Sequence, residues 1–159
     1  MIRVTLIGVR VEVPSNQPIV LLREEDGQRY LPIFIGAPEA TAIVYAVQGM
    51  ETPRPMTHDL FVTVIGDFGV ELRQVAITAL QEGTFYAELE LARGEDVQRI
   101  SARPSDAIAL AVRLGDEVPI LVDESVFDEA GVLFEAEEEE EQIEEFRAFL
   151  DDIRPEDFG

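Results

Sequence analysis

Cysteine, tryptophan and lysine are absent from this 159-residue chain, and histidine occurs once, at His58. Without cysteine there are no disulfides and no thiolate metal ligands. With one histidine there is no imidazole cluster for zinc. A metal site from this chain would be carboxylate-rich and would favour Mg²⁺ or Mn²⁺. Long apolar runs are missing as well, since nothing approaches the roughly 18 to 20 residues of a membrane span. The opening Met1-Ile2-Arg3-Val4-Thr5-Leu6 reads as a strand rather than a signal peptide. These absences set the expectation of a cytoplasmic protein with no membrane segment. Phosphate-binding glycine loops, HExxH and GxSxG are missing too.

What the chain has in excess is acid. There are 33 acidic residues against 12 basic ones, all arginine, for a formal charge of −21. Residues 135–159 hold 12 of the acids against Arg147 and Arg154, a net −10 of that total, which leaves −11 on residues 1–134. A field of this sign repels nucleic acid at long range, so a polyanion would need a local arginine cluster or bridging cations. Arginine without lysine is a compositional bias, and an acid excess also fits salt adaptation; neither identifies a function. The 47% of hydrophobic residues is enough for one sizeable core.

Hydrophobic spacing divides the chain. Residues 2–13 alternate as a strand until Pro14-Ser15-Asn16. Residues 18–23 and 29–35 form a hairpin around Glu25-Asp26-Gly27. A helix over 38–48 follows, with Pro38 at its start and Gly49 at its end. Thr57 is placed to cap a second helix, His58 to about Asp67, with Met56 and Phe61 as a hydrophobic staple. Strands over 70–80, 84–93 and 97–102 precede a third helix from Pro104 to about Leu114. Residues 119–122 make a short strand and 123–130 a short helix. The expectation is α+β: a mixed, largely antiparallel sheet with hairpins on three main helices, plus a C-terminal acidic helix. Residues 135–159 form a separate acidic tail. Glu137–Glu141 reads as a solvated or disordered run, and Ile143, Phe146, Phe149, Leu150 and Ile153 share one helical face. That face docks on its own domain, on an identical neighbour, or on another protein.

Polar groups collect at the three helix openings. Glu39 lies in the first; Arg54, Thr57, His58 and Asp59 in the second; Arg103, Ser105 and Asp106 in the third. First-turn acids answer the positive end of the helix dipole and need no other purpose. Arg54-Pro55 and Arg103-Pro104 hold each arginine extended just before a helix N-terminus, aimed at whatever anion that end attracts. Ion pairs to Glu39, Asp59 or Asp106 are the structural alternative. The runs 35–40 and 100–107 also echo each other weakly, each passing from strand through proline and an acid to an alanine-rich helix.

At these residues the chain resembles the bifunctional nuclease family. The blocks are Leu31-Pro32-Ile33-Phe34-Ile35-Gly36 with Glu39-Ala40, Arg54-Pro55-Met56-Thr57-His58-Asp59-Leu60, Thr84-Phe85-Tyr86-Ala87, and Arg103-Pro104-Ser105-Asp106-Ala107-Ile108-Ala109-Leu110. They run in the family's order over roughly residues 1–134. The resemblance implies a compact α+β domain, homo-oligomeric as a dimer or trimer, acting on both DNA and RNA.

Two readings follow. In the first, a nuclease holds Mg²⁺ or Mn²⁺ on Asp59, Asp106 and Glu39, clamps the phosphate with Arg54 and Arg103, and uses His58 as general base or acid. Thr57 and Ser105 orient these groups. This requires three chain-distant openings to converge on one cleft. In the second, the protein is a non-catalytic regulatory module whose acidic tail engages a partner protein. An open cleft lined by the three segments favours the first; Arg54 and Arg103 both paired and buried would favour the second.

Overall fold

The computed structural model describes the backbone of residues 1–152 and the side chains of residues 1–147. Seven strands form one sheet: β1 (Ile2–Glu12), β2 (Gln17–Glu24), β3 (Tyr30–Phe34), β4 (Glu71–Gln81), β5 (Thr84–Arg93), β6 (Asp96–Ala102) and β7 (Ile120–Val122). Their order is β3-β2-β1-β7-β4-β5-β6, antiparallel except where β4 runs parallel to β7. Five α-helices accompany the sheet among the described residues: α1 (Ala37–Gln48), α2 (Thr57–Asp67), α3 (Pro104–Leu114), α4 (Glu124–Ala130) and α5 (Ala136–Asp152). The α+β class and the largely antiparallel sheet are as expected from the sequence.

Two β-bulges explain how the apolar pattern fits a pleated sheet. In β1 the register shifts between Leu6 and Gly8. Ile2, Val4 and Leu6 before the shift and Val9 and Val11 after it therefore reach the same core, although their numbers change parity. In β4 the shift between Leu72 and Gln74 does the same for Leu72, Val75 and Ile77.

The main core lies between this face and α1 and α3, which pack against each other. Both helices present small residues there: Ala40 and Ala42 from α1, Ala107, Ala109 and Ala111 from α3, all buried. Small side chains let the helices lie close and bring their N-termini together. By contrast α2 buries no residue fully and leaves Leu60, Phe61 and Val64 exposed.

The tail is helical, as expected. Its acidic run is solvated but not disordered: Glu137–Glu141 lies within α5, four of its five glutamates exposed, and α5 packs on β1 over the opposite sheet face. Along β2, Val20 and Leu22 enter the main core, while Ile19 and Leu21 join Ile7, Tyr30 and Phe146 in a second cluster under α5. Phe146 is 3% exposed, and Ile143 packs beside it. The helix comes so close that a Cβ at Gly8 would lie 2.6 Å from the Phe146 carbonyl oxygen. Tyr30 donates its hydroxyl to Glu139 at 2.6 Å, and Arg10 pairs with Glu145 at 2.8 Å. Burial, then the Glu139 hydrogen bond, push the Tyr30 hydroxyl up to about 12. Of the expected apolar face, Ile143 and Phe146 thus dock on the chain's own sheet. Phe149, Leu150 and Ile153 lie outside the residues whose side chains are described.

Candidate active site

At one end of the paired helices the three openings converge. Gly36 delivers the chain from β3 into α1 with an extended backbone, and Glu39 follows in the first turn. The Glu39 carboxylate folds back over Gly36, where any side chain would collide with its Oε2. Arg103 occupies the matching position before α3, held extended (φ −73°, ψ 146°) by Pro104. Its Nη2 donates to Glu39 Oε1 at 2.7 Å, and its Nε donates to Asp106 Oδ2 at 2.8 Å. Asp106 Oδ1 lies 2.9 Å from His58 Nε2, on the first turn of α2. Glu39, Arg103, Asp106 and His58 therefore form one continuous line of charge-assisted hydrogen bonds.

This arrangement fixes protonation as well as position. Burial alone would raise the Asp106 carboxyl, but hydrogen bonds from Arg103 and His58 outweigh it and hold the group below its ordinary value. Hydrogen bonds to Asp106, then Glu39, raise Arg103 further above the pH range in which it could lose its charge. An ionised Asp106 only accepts, so His58 Nε2 carries a proton, and whenever the ring is neutral Nδ1 is its acceptor. Neither Nδ1 nor Arg103 Nη1 has a hydrogen-bond partner among the described residues.

A cavity of about 520 Å³ opens at this cluster. Glu39, Thr57, His58, Arg103 and Asp106 supply its polar wall, and Met56, Phe61, Leu89, Ile100 and Leu110 its apolar one. Arg103 is 65% exposed although paired. Arg54 is exposed, and its side chain has no ion-pair or hydrogen-bond partner among the described residues; it lies outside the cavity lining. The cleft is open, and the two arginines are not paired and buried together.

Other expected site residues stand elsewhere. Asp59 points away from the cluster: its Oδ1 accepts from Arg113 Nε at 2.7 Å and its Oδ2 from the Met56 backbone amide at 3.0 Å. The Arg113 bond first, and the Met56 amide, hold its carboxyl below the ordinary value against the effect of burial. Asp59, not Thr57, caps α2; Met56 is the N-cap residue and Thr57 is the first residue of the helix, exposed at the cavity rim. Ser105 is buried and lines a different cavity.

The carboxylate metal set does not assemble. Arg103 bridges Glu39 and Asp106, while Asp59 is turned to Arg113, and no three Asp, Glu or His among the described residues could hold a metal ion together. Arg113 is the residue that sequence reasoning missed. It is 8% exposed on its side chain, donates also to the Ala109 carbonyl at 2.8 Å, and ties the start of α2 to α3. Its only sequence signal is a cation in the last turn of a helix, which the helix dipole already accounts for.

Residues 20–135 match the bifunctional nuclease domain. Two proteins from Mycobacterium tuberculosis strains, described only as uncharacterized, are each 49% identical to the chain over 163 aligned residues, covering 98% of it and 96% of their own length. Bifunctional nuclease 2 of Arabidopsis thaliana is 30% identical over 116 residues, and bifunctional nuclease 1 is 28% identical over 112. Those alignments cover 69% and 68% of this chain but 35% and 34% of the plant proteins, so the chain spans about a third of their length.

Proposed function

The chain belongs to the bifunctional nuclease domain family, and we propose that it hydrolyses phosphodiester bonds of DNA and RNA at the Glu39–Arg103–Asp106–His58 cluster. The observation that carries this reading is the convergence of those four side chains from three helix openings on one open cavity.

Each group has a role set by its position. Arg103 presents its free Nη1 to a phosphate oxygen and offsets the charge that gathers on the phosphoryl group in the transition state. Glu39 and Asp106 hold the guanidinium plane on both sides, so that it meets the phosphate already oriented. His58 Nδ1 accepts the proton of a water molecule as that water attacks phosphorus. The P–O bond to the leaving nucleoside breaks on the side opposite the attacking water, the leaving oxygen takes a proton from solvent, and the His58 ring returns its own to solvent. Asp106 fixes the His58 ring and stabilises the imidazolium while it lasts, as a carboxylate behind a catalytic histidine does elsewhere. Asp59 stands apart from Glu39 and Asp106, so the three carboxylates do not meet as one set for Mg²⁺ or Mn²⁺, and no step is assigned to a cation.

The non-catalytic alternative reads the arginine–acid contacts at the helix starts as structural ion pairs and the acidic tail with its apolar stripe as the working surface. Arg103 is paired with Glu39 and Asp106 yet stays exposed, and Ile143 and Phe146 of the stripe are occupied by the chain's own sheet. The direct test is cleavage of labelled single-stranded RNA and DNA by purified protein, with Mg²⁺, Mn²⁺ or EDTA, beside an Arg103→Ala, Asp106→Ala double variant purified identically. Cleavage by the wild type that disappears in a folded double variant is the expected result. Equal cleavage by both would remove the site.

A further inference from the structure

Arg103 borders a second cavity. This one, of about 350 Å³, lies among Gln17 and Phe34 at the ends of β2 and β3, Thr84 and Phe85 at the start of β5, and Ser105 on α3. Arg103 is the one residue that lines both cavities. A single exposed guanidinium therefore stands between two concavities, each combining an aromatic side chain with hydrogen-bonding groups. In the first, Phe61 accompanies Thr57 and Ser101; in the second, Phe34 and Phe85 accompany Gln17 and Thr84. Phe34, at the end of the sheet-edge strand β3, is 53% exposed, so part of its ring is open to solvent beside this cavity.

We propose that the second cavity is a nucleoside subsite, and that the two cavities together take one splayed dinucleotide step of a single strand, its bridging phosphate on Arg103. This rests on the phosphodiester reading of the cluster and extends it to the class of substrate. The order nucleoside, phosphate, nucleoside matches the order cavity, guanidinium, cavity. Stacking on Phe34 and Phe61 is tolerant of base identity, because every base has a π-face. That tolerance suits a site that takes both DNA and RNA. Bases held in a duplex are stacked and paired and cannot enter two separate pockets, so the site selects unpaired strands.

The same arrangement accounts for the charge. A chain at −21 has no field with which to gather a polyanion. Affinity drawn from two bases and one phosphate is short-ranged and works against little of that field. It carries a characteristic salt dependence: log K should fall with log salt at a slope of about −0.7, the value for one neutralised phosphate on a single strand.

Calorimetric titration of the full chain with thymidylyl-thymidine, with thymidine 5′-monophosphate and with a short duplex tests this. The wild type is expected to bind the dinucleotide about tenfold or more tightly than the mononucleotide, and the duplex more weakly than either. Phe34→Ala, at an exposed position and checked by its melting curve, is expected to lower dinucleotide affinity about 5- to 100-fold, the effect of losing one stacked base. Arg103→Ala should weaken dinucleotide and mononucleotide alike. If Phe34→Ala binds the dinucleotide as the wild type does while Arg103→Ala does not, the second cavity is no subsite and the phosphodiester site stands. If the wild type binds no dinucleotide, or if neither substitution changes binding, both readings fall.

Discussion

Two arginine–aspartate pairs flank the first turn of α2, and their arginines stand in opposite relations to water. Arg103 meets Asp106 with its side chain 65% exposed, whereas Arg113 meets Asp59 with its side chain 8% exposed. The chemistry and the bond lengths are nearly the same, 2.8 Å and 2.7 Å. Exposure decides what each pair can do. An exposed guanidinium with an unused nitrogen can exchange part of its bonding for a ligand's phosphate; a buried one with both neighbours satisfied is a fastener. The fastener matters because α2 buries no residue fully and has little other packing to hold it. His58, next to Asp59, is held beside Asp106 in part through that buried arginine.

The comparison can be broken by substitution. Arg103→Ala is expected to reduce cleavage about 10²- to 10³-fold, the loss typical of one donor to a developing oxyanion. It should cost about 1 kcal/mol of stability, since the guanidinium itself is exposed although Glu39 and Asp106 are part-buried. Arg103→Lys should recover little, since a point charge cannot bridge two carboxylates in one plane. Steady-state rates and melting curves on the same preparations check both statements. Arg113→Ala should show the reverse balance. Losing a hydrogen bond to a charged group costs about 2 kcal/mol, roughly 4 to 8 °C in melting temperature for a chain of this size. Cleavage should fall only in part, as far as α2 loosens. An Arg113→Ala variant that melts like the wild type would show that the buried pair fastens nothing.

The smallest expected effect is on pH. Asp59 and Asp106 both have carboxyls held below their ordinary value of 3.8 by their partners. A depressed folded-state value means that the stabilisation is fully present above the unfolded value and is lost as pH falls through the folded one. Thermal stability should thus be insensitive to these two groups above about pH 5 and should decline below about pH 4. Asp59→Asn, which keeps the shape without the charge, should flatten part of that decline in an acid titration followed by circular dichroism.

Much of the fold was legible because apolar spacing carries it. The alternation along β1 and β4, the prolines and glycines bounding α1 and α3, and the turn residues between strands each have a local cause. The bulges were present in the sequence as a change of parity, Val4 and Leu6 giving way to Val9 and Val11. Only the structure shows that the odd and even residues reach one core. The acidic run is solvated as its charge implies, but charge density does not say whether a segment is helical, so α5 starts earlier than its apolar face alone indicates. Seventeen residues with Phe146 and Ile143 on one face found a partner in β1, where Gly8 leaves room for them.

The site was legible in part, for a related reason. Glu39, Arg103, Asp106 and His58 were singled out by helix openings and prolines, and they meet. His58 and Asp59 were grouped because they are neighbours in sequence. Successive helical residues point about 100° apart, the consequence of 3.6 residues per turn, so one faces Asp106 and the other Arg113. No pattern near Asp59 announces a partner 54 residues away.

In the proposed reaction His58 and Asp106 act as one unit beside Arg103. A double-mutant cycle on cleavage of single-stranded RNA, with His58→Asn, Asp106→Asn and the two combined, tests it most directly. Residues that act as a unit are strongly non-additive. The double variant should therefore lose scarcely more activity than the worse single variant, with all three melting near the wild type. Losses that multiply, or singles that cleave as the wild type does, would contradict the account.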